Sequence, residues 1–222
     1  MRGWTVTRAW AALAITRQTC GLSGLLKIAM RRLFWKGHRF VRLQVELRDW
    51  TPAERPSGRT TAREASLDEL RRFRASYPGL PLQFYADVTH GARRVYVGLV
   101  DGTIAHVAWV YAHDDHVRHM RLAPGEIIVE GLYTLPEFRG LGLVATTAHA
   151  LLADAKLEGK RVAYVHVAID NHAALRGVRK AGFCPVATIM WRMICGRSVT
   201  RYLPSIEARA EQPDQVSAAR RA

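Results

Sequence analysis

The stretch EIIVEGLYTLPEFRGLGLVATTAHALLADAK, from Glu126 to Lys156, holds the residues whose types and order most clearly imply chemistry. An apolar run ends at Pro136, a turn Arg139-Gly140-Leu141-Gly142 follows, and a long apolar segment begins at Leu143. Glycine adopts backbone conformations closed to other residues and lets a ligand approach the main chain. A helix that starts at such a turn presents unpaired N–H groups and the positive end of its dipole. With the fixed charge of Arg139 beside it, the turn is expected to cradle an anion of pyrophosphate size. Glu126 and Glu130, spaced by four on an expected strand, project to one face. A carboxylate set between IIV and GLY is harder to assign to solubility alone than one at a strand start.

This turn resembles the cofactor motif of the GNAT superfamily of acyl-coenzyme-A-dependent N-acyltransferases, Gln/Arg-x-x-Gly-x-Gly/Ala, which follows a strand and a P-E-x-R-G turn. Pro136-Glu137-Phe138-Arg139-Gly140 fits, as do Arg139 and Gly142, while the last motif position falls on Val144 with Ala145 directly after it. A second block, Asp170-Asn171-His172-Ala173-Ala174 and then Lys180-Ala181-Gly182-Phe183, is similar to the family's D-N-x-x-A…K-x-G-F ending. The two blocks agree in order and separation, and the resemblance covers about Phe40 to Arg197.

The resemblance implies an α/β fold with a central mixed β-sheet flanked by helices, and an N-acyltransferase that uses acetyl-CoA or another acyl-CoA as co-substrate, without a metal. It also implies that the backbone of Leu132, Tyr133 and Thr134 bonds the pantetheine arm, and that amides of Arg139, Gly140, Leu141, Gly142, Leu143 and Val144 take the pyrophosphate. Asn171 would contact the cofactor or the reacting region, and it is equally a favoured helix N-cap. The family's chemistry is attack of a neutral amine on a thioester carbonyl, which calls for a base and an acid. Glu126 occupies a place where several members keep the base, and Glu130 is the other candidate. The family's usual tyrosine acid is replaced by Val178, so Tyr133, Tyr164 or solvent would protonate the thiolate. His166 could shuttle protons, although a histidine in an alternating strand is more often a hydrogen-bonded core residue.

These residues need elements to hold them. Phe40 to Leu47 alternates and reads as a strand. Asp49 to Glu64, rich in Pro, Thr, Arg and Gly, reads as an exposed connection. Ser66 with Glu69 forms a capping box for a helix from Leu67 to Ser76, and a second short helix is expected over Leu82 to Val88. Asp101-Gly102 is a strong hairpin signal between strands Arg94 to Val100 and Thr103 to Ala112. Further elements are a strand Glu126 to Thr134, a helix Gly142 to Lys156, a strand Arg161 to Ile169, a helix Ala173 to Lys180 and a strand Phe183 to Ile194. The acceptor pocket is expected from Leu67 to Val88 and from His113 to Gly125. Three units follow: an extension over 1–39, a core domain over 40–197, and a disordered tail over 198–222.

The extension is cationic, with no Asp or Glu from Met1 to Val45. Leu22, Leu25, Leu26, Ala29 and Leu33 recur at helical spacing beside Lys27, Arg31 and Arg32, which predicts a basic amphipathic helix. Such a helix suits an anionic membrane surface through residues 1–38; the alternative is packing on the domain itself or on a second subunit, as in a homodimer. Arginines interrupt the apolar runs before a membrane-spanning length is reached. The whole chain has 222 residues and a net charge of +14, which attracts polyanions: phosphate-rich cofactors, anionic lipid or an acidic acyl carrier protein that brings a longer acyl group. Nucleic acid is disfavoured, because no motif interleaves the basic residues with aromatics. A non-catalytic CoA-binding module is the reading from another class. The expected acceptor is an amine of a small molecule or sugar.

His113, His116 and His119 share a loop with Asp114 and Asp115 but lack a helix to align them, so no metal site is expected. Cys20, Cys184 and Cys195 have no partner at zinc or redox spacing. They are expected to be reduced thiols of a cytoplasmic protein, peripheral at the inner face of the membrane, with Cys184 and Cys195 acting as small buried hydrophobes.

Overall fold

A computed structural model describes residues 38–52, 58–115, 120–194 and 197–204. The expected amphipathic helix within residues 1–37, His116, His119, Cys20, Cys195 and the tail beyond Pro204 lie outside the described residues, whereas His38 and Arg39, expected in the extension, open the first strand of the core.

Eight strands form one mixed sheet: β1 (His38–Glu46), β2 (Thr60–Ala65), β3 (Arg94–Val100), β4 (Thr103–Ala112), β5 (Glu126–Thr134), β6 (Val162–Ala168), β7 (Cys184–Ile194) and β8 (Arg197–Pro204). Their spatial order is β2-β3-β4-β5-β6-β1-β7-β8. All neighbours are antiparallel except β5 and β6. Asp101 and Gly102 both take left-handed backbone, at φ 48° and 81°, which matches the right-handed twist of the β3–β4 hairpin. Two strands depart from expectation. Thr60–Ala65, assigned to an exposed connection by its composition, pairs along its length with β3. Residues 198–204, assigned to a disordered tail, instead form most of β8 on the edge of β7, because Val199, Thr200, Tyr202 and Leu203 are strand formers.

The sheet is covered on both faces. On one side α3 (Leu143–Leu157) and α4 (His172–Lys180) pack Ala148, Leu151, Leu152 and Val178 against Leu43, Ile127, Val129, Ala163 and Val165. On the other, α1 (Leu67–Ser76), a 3₁₀ turn (Leu82–Tyr85), α2 (Ala86–Thr89) and the connection that holds Leu80 pack Leu70, Leu80, Phe84 and Ala86 against Val107, Trp109, Ile128 and Tyr164. Alternation along each strand sends neighbouring residues into the two cores. Ser66 caps α1 by accepting from the amide of Glu69 at 3.1 Å. The single short helix expected over Leu82 to Val88 is broken at Tyr85, whose φ −121°, ψ 24° lies outside the helical range. Cys184 is exposed rather than buried.

The feature that shapes the site is a fork. β5 and β6 pair only through Glu126–Val129 and Val162–Val165. Trp109 opposes Glu130, whereas Val107 opposes Tyr133, so the single residue Ala108 faces the two residues Gly131 and Leu132, which makes a β-bulge. Gly131 adopts φ +64°, and a Cβ there would lie 3.0 Å from the Trp109 ring. Both backbone and space therefore demand glycine. The bulge bends β5 away from β6 and resets its alternation. Leu132 then packs with the α3 core and Tyr133 with the α1 core.

Candidate active site

At the end of β5, Pro136–Phe138 makes one 3₁₀ turn, and the chain swings through Arg139–Gly142 into α3. Gly140 and Gly142 adopt φ +85° and +76°, a region that other residues enter only with strain. A Cβ on either would meet nothing within 4 Å, so the backbone conformation calls for glycine and the space in front of the turn is open. Gly142 caps α3 with no side-chain hydrogen bond. The amide of Arg139 is used by the Pro136 carbonyl at 3.3 Å. The amides of Gly140 to Val144 meet no acceptor among the described residues, and Gly140 to Gly142 are exposed. These are the exposed donors and the helix end that a diphosphate requires.

Arg139 stays at the mouth of this turn. Its guanidinium bonds the Thr134 carbonyl and the Tyr133 hydroxyl, both at 3.4 Å, and stands 5.7 Å from the Tyr133 ring centre. Val144, where the motif expects Gly or Ala, is accommodated from the other side. It abuts Gly177 of α4, where a Cβ would come within 2.8 Å of Val144. The larger residue on α3 is thus matched by the smallest on α4. Asn171 caps α4, its Oδ1 accepting from the Ala174 amide at 3.1 Å.

On the opposite face, the fork opens into a cavity of about 290 Å³. Glu130 and His166 both line it, and each is the first residue past the last ladder pair, Val129 with Val165. The remaining wall comes from Phe40 of β1, Tyr111 of β4, and Leu82, Gln83, Ala86 and His90 of the α1–α2 side. The cavity therefore uses part of the Leu67 to Val88 segment expected to build it, and no described residue between His113 and Gly125. Phe40, Tyr111 and His90 had no local signal: strand pairing brings the first two to the fork, and the end of α2 brings His90.

The cavity roof is tied down. Trp109 Nε1 donates to the Gln83 carbonyl at 2.7 Å. Arg74 grips Asp87 with two hydrogen bonds of 2.8 Å, the two side chains only 7% and 5% exposed. Tyr77 donates to Glu137 of the turn that leads into α3, which holds that carboxyl below its usual range.

The other candidates are placed differently. Glu126 accepts from the Ala123 amide at 2.8 Å and from the Tyr164 hydroxyl at 3.1 Å, and it is not part of the cavity wall. Burial, and then Glu126, push the Tyr164 hydroxyl up. Tyr133 turns edge-on to Phe84, their ring centres 6.3 Å apart, also outside the wall. Val178 is a core residue, 1% exposed. One further group went unread in the sequence. His106 is fully buried beside β5, its Nδ1 2.8 Å from Thr134 Oγ1, and burial lowers its pKa to about 3. No group of three or more His, Cys, Asp or Glu among the described residues could hold a metal.

A model of the acetyltransferase (GNAT) family matches residues 30–183. No curated protein matches the sequence. Among solved structures, the chain is similar to an acetyltransferase of the GNAT family from Novosphingobium aromaticivorans, with TM-score 0.51 and 22% identity over 77% of this chain and 66% of that one. It is also similar to a GCN5-related glucosamine N-acetyltransferase region of a fungal multi-domain GH3 β-N-acetylglucosaminidase, with TM-score 0.54 and 12% identity over 77% of this chain and 22% of that one. The chain thus spans just under two thirds of the first of these proteins and about a fifth of the second. These likenesses show the fold.

Proposed function

The chain belongs to the GNAT acetyltransferase family, and from that premise we propose that it moves an acetyl group from acetyl-CoA to the amine of a small molecule held at the β5–β6 fork. One observation carries this reading: the fork places Glu130 in a cavity on one face of the sheet, while the turn that starts α3 keeps its amides open beyond the same strand. Acyl-CoA, when bound, supplies an activated thioester carbonyl and a thiol leaving group.

The turn residues Gly140 to Val144 hold the diphosphate with main-chain donors, and Arg139 adds charge. Past Val129 the β6-facing edge of β5 has no ladder partner among the described residues, so Leu132 to Thr134 offer strand-like donors and acceptors to an extended arm. Glu130, the carboxylate of the wall, takes the proton that an ammonium must lose before it can attack. Glu126 is engaged in closing the Ala123–Glu126 turn and in holding Tyr164. No tyrosine stands at Val178, and a thiol ionising near about pH 8.5 can leave without an obligatory donor.

Thiol release from acetyl-CoA with a panel of primary amines tests the reading. Glu130→Gln is expected to lower kcat/KM by about 10²–10⁴-fold while acetyl-CoA still binds, and Glu126→Gln is expected to keep most activity. Equal rates in wild type and Glu130→Gln would contradict the assignment.

The net charge of +14 supports a second reading of the donor, a longer acyl chain on an acidic carrier protein. Titration with acetyl-CoA and with a long-chain acyl-CoA separates the two. The acid-free residues 1–38 support attachment to anionic membrane. Equal liposome sedimentation with and without them would reject it.

A further inference from the structure

The cavity at the fork carries more information than the presence of a base. Its volume of about 290 Å³ lies at the floor of the roughly 300–1,000 Å³ typical of small-molecule sites. Its size is also fixed from outside. The roof carbonyl of Gln83 is held by Trp109, a fully buried ring, and Asp87 of α2 is locked to Arg74 of α1 by the buried two-pronged ion pair. Both bonds resist lifting of the roof.

The chemistry of the walls is equally restrictive. Among the described residues Glu130 is the only acidic group on the wall, beside the imidazoles of His90 and His166. One carboxylate balances the charge of one ammonium; an imidazole can accept a hydrogen bond from a second when neutral, but it carries no negative charge to balance it. Phe40, Leu82 and Ala86 offer no hydrogen-bonding side chain, whereas Phe40 and Tyr111 offer aromatic faces that suit both a flat apolar body and the ammonium itself. A polyhydroxylated ring would leave the hydroxyls it turned to Phe40, Leu82 and Ala86 without partners.

From this we propose that the acceptor is a compact monoamine with a flat apolar body, of the arylalkylamine class, and not an amino sugar or a polyamine. The inference rests on the reading of the cavity as the acceptor site, and two separate readouts distinguish their failures. The first is binding without turnover: saturation-transfer NMR of phenethylamine, glucosamine and spermidine with the full chain in the absence of acyl-CoA. Phenethylamine is expected to bind at least tenfold more tightly than the other two. Ala86→Trp, which fills the cavity, is expected to weaken it at least tenfold with acetyl-CoA affinity and Tm unchanged. Should that variant misfold, Leu82→Trp asks the same question from another part of the roof, and Phe40→Ala, which widens the wall, is expected to narrow the preference.

The second readout is thiol release with the same amines, where phenethylamine is expected to lead in kcat/KM by at least tenfold. Glucosamine or spermidine binding as well as phenethylamine, or a filled cavity that binds phenethylamine as wild type does, would overturn the proposal. Turnover led by glucosamine would leave the transferase reading standing and remove the acceptor class. Selective phenethylamine binding, lost on filling the cavity but without thiol release, would support the acceptor class and remove the transferase reading.

Discussion

The turn before α3 and the cavity at the fork both adjoin β5 and are made of different materials. Arg139 to Val144 are contiguous, mostly exposed, and offer main-chain donors, so their only strict side-chain demand is the missing Cβ at φ +85° and +76°. The cavity is drawn from five separated segments, with Phe40, Leu82, Tyr111, Glu130 and His166 each supplying a side chain. A ligand part shared across a family can be held by a backbone shape that survives wide sequence change. A variable ligand part is held by side chains, which can change one at a time while the sheet stays as it is.

That contrast can be broken from either end. The largest effect is expected at Glu130: if it is the proposed base, Gln substitution costs about 10²–10⁴-fold in kcat/KM, with acetyl-CoA affinity from calorimetry unaltered. Next comes the roof. Asp87→Ala leaves the buried Arg74 unpaired and is expected to cost about 3–5 kcal/mol of stability in urea titration, and replacing both partners with apolar residues should recover most of that loss. Gly142→Val forces a β-branched residue into left-handed backbone at a cost of about 1–3 kcal/mol. Acetyl-CoA affinity should fall about tenfold to a hundredfold, while phenethylamine binding should stay as it is.

An effect that shows only on acidification is expected from His106. Its pKa is about 3 in the folded chain against about 6.5 unfolded, so between these values the unfolded state binds the extra proton. Stability should be full above about pH 6.5 and fall as pH drops toward 3, at up to about 1.4 kcal/mol per unit. A neutral replacement, His106→Gln, should flatten that part of the Tm–pH curve. Smallest of all, Arg139→Ala should weaken acetyl-CoA binding by less than about tenfold and reduce its salt dependence, since an exposed charge is well screened.

The sequence was most legible where a local rule decides the structure. Asp101-Gly102, the Ser66 cap and the glycines before α3 each act within a few residues of chain, and strands β3, β4 and β5 begin and end at the expected residues. β2 escaped notice because TTAREA carries charge on an edge strand, where one face meets solvent. The insertion of β1 between β6 and β7 was unreadable for a different reason, since long-range pairing leaves no mark on either partner. Yet that insertion carries Phe40 to the cavity. The fork had one local sign, Gly131 inside a strand, which by itself indicates a bulge and not which neighbour will part from it. The sequence favoured Glu130 over Glu126 only slightly, through its apolar neighbours; the end of the β5–β6 ladder separates them, because only Glu130 lies beyond it.

Amide chemical-shift mapping of the isotope-labelled full chain reaches the division between turn and cavity most directly. Coenzyme A should move the amides of Gly140 to Val144 and of Leu132 to Thr134, and phenethylamine should move Glu130, Gly131 and His166 while leaving the turn in place. Coenzyme A shifts that spare Gly140 to Val144 and cluster elsewhere on the sheet would contradict the account.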